Sequence, residues 1–349
     1  MAFRLGILGA GNISDTHARA ASAIPGVEVV AVHGRNRERA TRLAGAYGAA
    51  VFDSLDGFLD HPMDAVAIGS PSGVHAEQGT LAAARGLHLI VEKPIDVTPA
   101  RADLLIDAAA RADVRLGVFF QDRVQPDIVR LRDAIVSGRI GRPLLASARV
   151  KWYRPPEYYG QSHWRGTWAL DGGGALMNQG IHTVDLMQWL LGPVRRLTAT
   201  TRTALHKIEV EDTVIALLEF ESGAVATLEA TTAAYPGYKR RVEISGTEGT
   251  LVLEHDRLVR ADLRQPADDL VAEAAADSNQ SASSPVVSDA RGHQRLLEDF
   301  VDAVHSHRDP ICTGQEARRS VALVCAIYEA AKSGTWVTPA RPDSPDRPV

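Results

Sequence analysis

The six residues Gly9-Ala10-Gly11-Asn12-Ile13-Ser14 constrain this chain more than any other segment. They follow the apolar run Phe3–Leu8 and precede a segment with Ala18, Ala21 and Ile24 on one helical face. A strand, a tight glycine turn and a helix start, in that order, make a site for a dinucleotide pyrophosphate. Gly9 permits the turn. Gly11 has no Cβ, so the backbone can approach the phosphates. The free N–H groups of the helix start, over Asn12 and Ile13, then face the anion. Ser14 stands where a third glycine or alanine often sits and is small enough for close helix–strand packing.

Around this turn the first third of the chain alternates strand-like and helical patterns. Apolar runs at 3–8, 27–32, 49–52, 65–69, 87–91 and 114–118 read as strands, and 37–47, 75–85 and 101–111 as helices between them. Several runs are apolar on both faces, which predicts a parallel sheet covered by helices on each side, hence a doubly wound Rossmann sheet. The pattern changes near Phe119-Phe120-Gln121. A helix over 127–137 stops at Gly138, a strand follows over 143–153, and a further helix runs over 174–191. From 194 to 259 several strands follow, with turn signals at Gly223, Gly237 and Gly249, predicting an antiparallel sheet in a second, α+β domain. Residues 264–289, rich in Ala, Ser and Asp, read as a surface loop. Helices over 294–307 and 315–332 close the fold. The division is 1–122 for dinucleotide binding, 123–338 for substrate binding and oligomerisation, and 339–349 as a flexible tail.

Bulk properties exclude several classes. A length of 349 residues suits two domains, and 45% hydrophobic with 23% charged residues is ordinary for a globular protein. A net charge of -5 gives no electrostatic reason to bind nucleic acid or an anionic membrane. No apolar run is long enough to span a bilayer, and the N-terminus carries no signal-peptide pattern. Two cysteines, Cys312 and Cys325, are too few for a disulfide framework or a zinc site, so no metal is expected. Cys325 lies in an apolar helical pattern, and the compartment expected is the cytoplasm.

The second strand ends Val32-His33-Gly34-Arg35-Asn36, with no carboxylate where one would bond the ribose hydroxyls of NAD. Glu28 is at the wrong end. Arg35, Arg37 and Arg39 can hold a 2′-phosphate, which favours NADP over NAD within an NAD(P)(H) site; a solvated basic helix start is the alternative. At the carboxyl ends of the next strands stand Ser70-Pro71 with His75, and Glu92-Lys93-Pro94, all placed toward the nicotinamide half of a cleft. A lysine there can support a developing alkoxide, and the proline after it restricts the backbone and admits a cis bond. A third constellation is Trp164-Arg165-Gly166-Thr167-Trp168, Asp171-Gly172-Gly173-Gly174, Asn178, His182 and Asp185. Asn178 and His182, four apart, share a helix face. An imidazole projecting from there can act as a general base near neutral pH. By location, Gln121 and Arg123 sit where the chain crosses between domains, and Tyr153, Arg154, Trp164 and Arg165 are candidate substrate contacts, with simple packing as the alternative.

Gly9-x-Gly11, Glu92-Lys93-Pro94, Gln121 and the run from Asp171 to Asp185 together resemble the glucose–fructose oxidoreductase / inositol dehydrogenase / rhizopine-catabolism (Gfo/Idh/MocA) family. The resemblance spans nearly the whole chain, including Gln315-Glu316-Ala317. It implies a Rossmann domain followed by an open-faced, mostly antiparallel sheet, a cleft between them, and dimers or tetramers built through those sheets. It also implies hydride transfer at a secondary alcohol of a sugar, cyclitol or sugar nucleotide. By matching position, Lys93 positions and polarises the reacting hydroxyl and His182 is the general acid/base. Asn178 stands where many members carry Asp, and an amide cannot pair Lys93 as a carboxylate would. Asp185 is expected to support its helix rather than react. The rivals are a catalytically silent NAD(P)-binding regulator of the same fold and a reductase for a non-sugar diol.

Overall fold

The computed structural model describes residues 2–265, 269–271 and 289–341. Strands Phe3–Leu8 (β1), Val27–His33 (β2), Ala50–Phe52 (β3), Ala65–Ile68 (β4), His88–Val91 (β5) and Leu116–Val118 (β6) form one parallel sheet in the order β3-β2-β1-β4-β5-β6. Its central strands are apolar on both faces because helices cover both: Ala65–Ile68 is buried throughout. Strand order reverses between β1 and β4, where ligands bind in such sheets. The register aligns Leu8 with Ile68 and Ile68 with Val91, so the residues after each, Gly9, Gly69 and Glu92, emerge together at one edge.

Local chemistry sets the helix ends. The helix Arg37–Tyr47 starts where the Asn36 side chain accepts from the Arg39 N–H and stops at Gly48, whose φ is 69°. The helix Gly314–Ser333 opens on a capping box between Thr313 and Glu316.

The second sheet contains Pro143–Lys151 (β7), Val194–Arg202 (β8), Thr213–Phe220 (β9), Val225–Thr231 (β10), Arg241–Gly246 (β11), Gly249–Glu254 (β12) and Arg257–Leu263 (β13), in the order β13-β12-β11-β7-β10-β9-β8. All pairings are antiparallel except β7 with β10. Alternation is clean. Val214, Ala216, Leu218, Ala226 and Leu228 are buried on the helix-covered face, while Leu145, Ile215, Leu217 and Val225 lie exposed on the other. The helices Arg291–His305 and Gly314–Ser333 return to the first sheet and pack against the helices Asn12–Ser22 and Pro99–Arg111 respectively.

Two expected elements differ. The single helix over 174–191 is a π turn, Ala175–Gly180, running into an α-helix, Ile181–Leu191. The strand over 143–153 ends at Lys151, and Tyr153 makes only an isolated bridge to Ala233. Of the loop over 264–289, residues 266–268 and 272–288 lie outside the described residues, as do 342–349 of the tail.

Candidate active site

A cleft of about 1370 Å³ runs from the glycine turn, past the ends of β4 and β5, to the segment joining the second sheet to the helix Ile181–Leu191. Gly9 has φ +129°, and a Cβ there would sit 2.7 Å from the Gly69 carbonyl oxygen, so the turn and the end of β4 touch backbone to backbone. A Cβ on Gly34 would fall 2.7 Å from that of Ala10, which brings the end of β2 against the same turn. Gly11 is the opposite case: its Cβ position meets nothing within 4 Å and stands at the start of the helix Asn12–Ser22. That open cradle of helix N–H groups fits a dinucleotide pyrophosphate. Asn12, Ile13, Arg35, Asn36 and Arg39 line the same groove, whereas Arg37 turns aside to pair with Asp53.

Further along, Ser70 and Pro71 line the cleft, and the Ser70 hydroxyl donates to Gln78 at 2.5 Å. His75 also borders it, but both its ring nitrogens are engaged, 2.9 Å from the carbonyl oxygens of Pro94 and Ser70. The ring therefore ties two cleft loops together rather than offering a free nitrogen to a ligand. The Lys93–Pro94 peptide is cis.

Lys93 and His182 line this one cleft from the two halves of the molecule. The Lys93 ammonium donates to the backbone carbonyl oxygen of Asn178 at 2.9 Å, one helical turn before His182. Burial lowers the Lys93 pKa, and the nearby charges of Glu92, Asp171 and Asp122 hold it up. His182 is pushed down to about 3, by burial first and by the cations Lys93 and Arg240, with Asp122 opposing. It is a neutral imidazole at physiological pH, its Nδ1 shielded from solvent and without a hydrogen bond.

Asn178 meets Lys93 through its main chain. Its side-chain N–H donates to Asp171 at 2.5 Å, and its side-chain oxygen accepts from Gln179 at 2.7 Å. Burial lifts Asp171 to about 6 against donation from the Gly166 N–H and Asn178 and the charges of Lys93 and Arg165. Asp171 supplies the carboxylate charge that position 178 lacks.

The π turn that presents Asn178 is built on Glu211. Its carboxylate accepts from the N–H groups of Gly174 and Leu176 at 2.9 and 2.8 Å and from the Tyr328 hydroxyl at 3.0 Å. A Cβ on Gly174 would lie 1.8 Å from the Glu211 carbonyl oxygen, so the glycine run is required by close approach. Elsewhere along the cleft, the Arg165 guanidinium lies 4.4 Å from the Tyr158 ring and 5.3 Å from that of Trp164, and Arg154 lies 5.1 Å from Trp152.

Two expected substrate contacts lie elsewhere. Arg123 does not line the cleft; its guanidinium is buried in a bidentate pair with Asp185 at 2.8 and 2.7 Å and reaches Glu316 at 2.7 Å. It pins the segment between the sheets to the helices Ile181–Leu191 and Gly314–Ser333, and Asp185 is its partner there. Tyr153 packs edge-on against Tyr235, 5.2 Å between centroids, while its neighbours Trp152 and Arg154 line the cleft. Extended backbone alternates sides, so Arg154, also an expected contact, lines the cleft with Trp152 while Tyr153 faces away. Gln121, Trp164 and Asn178 do border the cleft.

Several residues escaped the sequence. Asp122, at the end of the first domain, forms a buried pair with Arg240 of the second, and Arg240 reaches Asp256 at 2.5 Å. His17 and His293 converge on Glu92, an expected cleft residue that does line the cleft, and the three form the one group among the described residues with ligand atoms close enough to hold a metal ion. Spacings of 75 and 201 residues leave no local signal for such a group.

Comparison with known proteins agrees with this arrangement. Residues 3–120 match the oxidoreductase family with an NAD-binding Rossmann fold, and residues 128–252 match the GFO/IDH/MocA C-terminal domain. The 1,5-anhydro-D-fructose reductase of Ensifer adhaerens is 30% identical over 95% of this chain and 97% of its own. The inositol 2-dehydrogenase of Rhizobium meliloti is 31% identical over 75% and 79%. The WlbA dehydrogenase of Bordetella pertussis, solved with NADH and UDP-GlcNAcA, superposes with a TM-score of 0.88 at 32% identity, covering 98% of this chain and 100% of that one. With a glycine cradle at the switch point of a Rossmann sheet, an open second sheet, and both family patterns matched in order, the chain belongs to the Gfo/Idh/MocA family of NAD-binding oxidoreductases.

Proposed function

We propose that this protein transfers hydride at a secondary alcohol of a sugar, cyclitol or sugar nucleotide, with Lys93 and His182 as the catalytic pair. The observation that carries the proposal is the Lys93–Asn178 contact, which draws the ammonium of one domain to within a turn of the imidazole of the other. Gly9, Gly11, Asn12, Ile13 and Gly34 would hold the dinucleotide, and when bound its nicotinamide ring supplies the hydride acceptor or donor. The protein's own residues manage the proton and the oxygen. Neutral His182 accepts the hydroxyl proton as the alcohol is oxidised. Lys93 donates to the same oxygen and stabilises the charge that grows on it. Gln121 and Trp164 border the space left for substrate.

Arg154 and Arg165, set among Tyr158, Trp152 and Trp164, support a sugar that carries a carboxylate or phosphate. The UDP-GlcNAcA bound by the WlbA relative supports the same class. For the cofactor, Arg35 and Arg39 beside a strand end with no acid support NADP, while the NADH held by that relative supports NAD. The test is a spectrophotometric panel of sugars, cyclitols and UDP-sugars, neutral and acidic, with NAD and NADP side by side. K93M and H182N are expected to lower kcat by about a thousandfold while leaving cofactor affinity within about threefold. Small, equal losses at both positions, or cofactor binding with no turnover on any member of the panel, would sink the proposal.

A further inference from the structure

Beneath the catalytic lysine lies a group that the reaction above does not use. Glu92 is buried at the end of β5, and its carboxylate meets two imidazoles from opposite ends of the sequence. His17, on the helix Asn12–Ser22, stands with Nε2 at 2.9 Å from Glu92 Oε1. His293, on the helix Arg291–His305, stands with Nε2 at 3.3 Å from the same oxygen, an electrostatic contact outside hydrogen-bonding geometry. Both rings are buried, at 0% and 1% exposure, so neither contact is a surface accident. Both lie on Phe119, with centroids at 4.5 Å for His17 and 5.2 Å for His293, which fixes the ring planes. The other carboxylate oxygen, Oε2, accepts from the Lys93 backbone N–H at 3.2 Å. A carboxylate hydrogen-bonded by His17 and flanked by His293 on one side thus accepts from the lysine main chain on the other.

We propose that His17 and His293 are positioning residues: they clamp Glu92 as a carboxylate, and the clamped carboxylate keeps Lys93 protonated and aimed at the reacting oxygen. This rests on the hydride-transfer reading above.

The electrostatics agree. Burial pushes the Glu92 carboxyl up, but His17 and His293 outweigh it and hold the group well below the ordinary carboxylate range. Burial lowers the His17 pKa, so its ring is neutral and donates Nε2–H. The groups around Glu92 are His17, His293, Lys93 and His182, with His75 facing His17. Those around Lys93 are Glu92, Asp171, Asp122, Arg154 and His182. Glu92 is the strongest of the acidic neighbours of Lys93. A metal ion is the competing occupant. Metal-bound histidines donate their second ring N–H to an acceptor, and here Nδ1 of both His17 and His293 has none.

Removing one arm lets Glu92 take up a proton nearer neutrality, which moves the acid limb up, whereas E92Q, which never carries the charge, lets Lys93 lose its ammonium proton at lower pH and moves the alkaline limb down. The histidine variants and E92Q thus shift opposite limbs of the activity profile, which a purely structural loss would not produce. The experiment compares H17L, H293L, H17Q and E92Q with the wild type over pH 5–10, with NADH fluorescence titration to establish a folded cofactor site. H17L and H293L are expected to lower kcat about tenfold with KM within about twofold, and to move the acid limb up by about one pH unit. H17Q, which keeps an N–H donor, recovers most of this. Wild-type kcat and limbs in H17L and H293L would overturn the clamp. So would one equivalent of metal in the wild type that is lost from both variants. An independent arm uses ¹⁵N NMR of the imidazoles. In the wild type His17 is expected as the neutral Nε2–H form, with a hydrogen-bonded shift that disappears in E92L, which has no acceptor; a shift unchanged in E92L overturns the clamp. If the wild type turns over no alcohol, the hydride-transfer reading fails and the imidazole signals alone decide the clamp.

Discussion

Asn178 shows how one atom's identity depends on its neighbour. Its amide N–H sits 2.5 Å from Asp171, a carboxyl already lifted to about 6 by burial. A carboxylate at 178 would face another at hydrogen-bond distance, and two such groups cannot both ionise without a large cost. The amide removes the conflict and leaves Asp171 as the anion near Lys93. N178D is therefore expected to destabilise the protein by about 2 kcal/mol at pH 8 and to recover most of that at pH 5, where the pair shares a proton. Urea denaturation at the two pH values measures it, and equal losses at both would count against the shared-proton account. Arg123 teaches the reverse lesson. A cation near a domain crossing reads equally well as a ligand or as a pin, and only the position of Asp185 decides for the pin.

At the scale of elements, the π turn Ala175–Gly180 is the piece that presents Asn178 and leads into His182, and Glu211 satisfies its free N–H groups. Burial raises the Glu211 carboxyl to about 7, against hydrogen bonds from the Leu176 and Gly174 N–H groups and Tyr328. The folded-state pKa thus lies above the unfolded one. The stabilisation linked to this group is complete below about pH 4.5 and is lost as pH rises through about 7. E211Q cannot titrate, so its melting temperature is expected to fall less than that of the wild type between pH 5 and 8; parallel melting curves for the two would refute the linkage. The helix pattern over 174–191 was legible in the sequence, but the π register was not. It arises because Glu211 and Tyr328, distant in the chain, hold the first turn open.

For the whole molecule, the outward face of the second sheet is an apolar surface left exposed among the described residues. Leu145, Ile215, Leu217 and Val225 are each about half exposed on it, at 55, 49, 48 and 46%. Exposed apolar area of this kind on a sheet face marks an interaction surface. Pairing of this face with a second copy is expected, giving a dimer or a tetramer. An I215E/L217E variant is expected to shift the protein toward monomer in size-exclusion chromatography with light scattering; an unchanged mass would remove this face as the interface. No helix among the described residues is long and apolar enough to cross a membrane.

The sequence by itself determined the doubly wound sheet, its glycine turn and the order of the chemistry-bearing segments. These are encoded locally, in apolar period, in Gly9 and Gly11, and in Glu92-Lys93-Pro94 at a strand end, where backbone geometry fixes position without distant help. Tertiary structure alone decided which candidate side chains face the cleft. It turned Tyr153 out and Trp152 and Arg154 in, buried Arg123 against Asp185, substituted Asp171 for the acid missing at 178, and gathered His17, Glu92 and His293 from three distant segments. A side chain's direction and its charge partner are properties of packing, and packing joins residues that the order of the chain keeps apart.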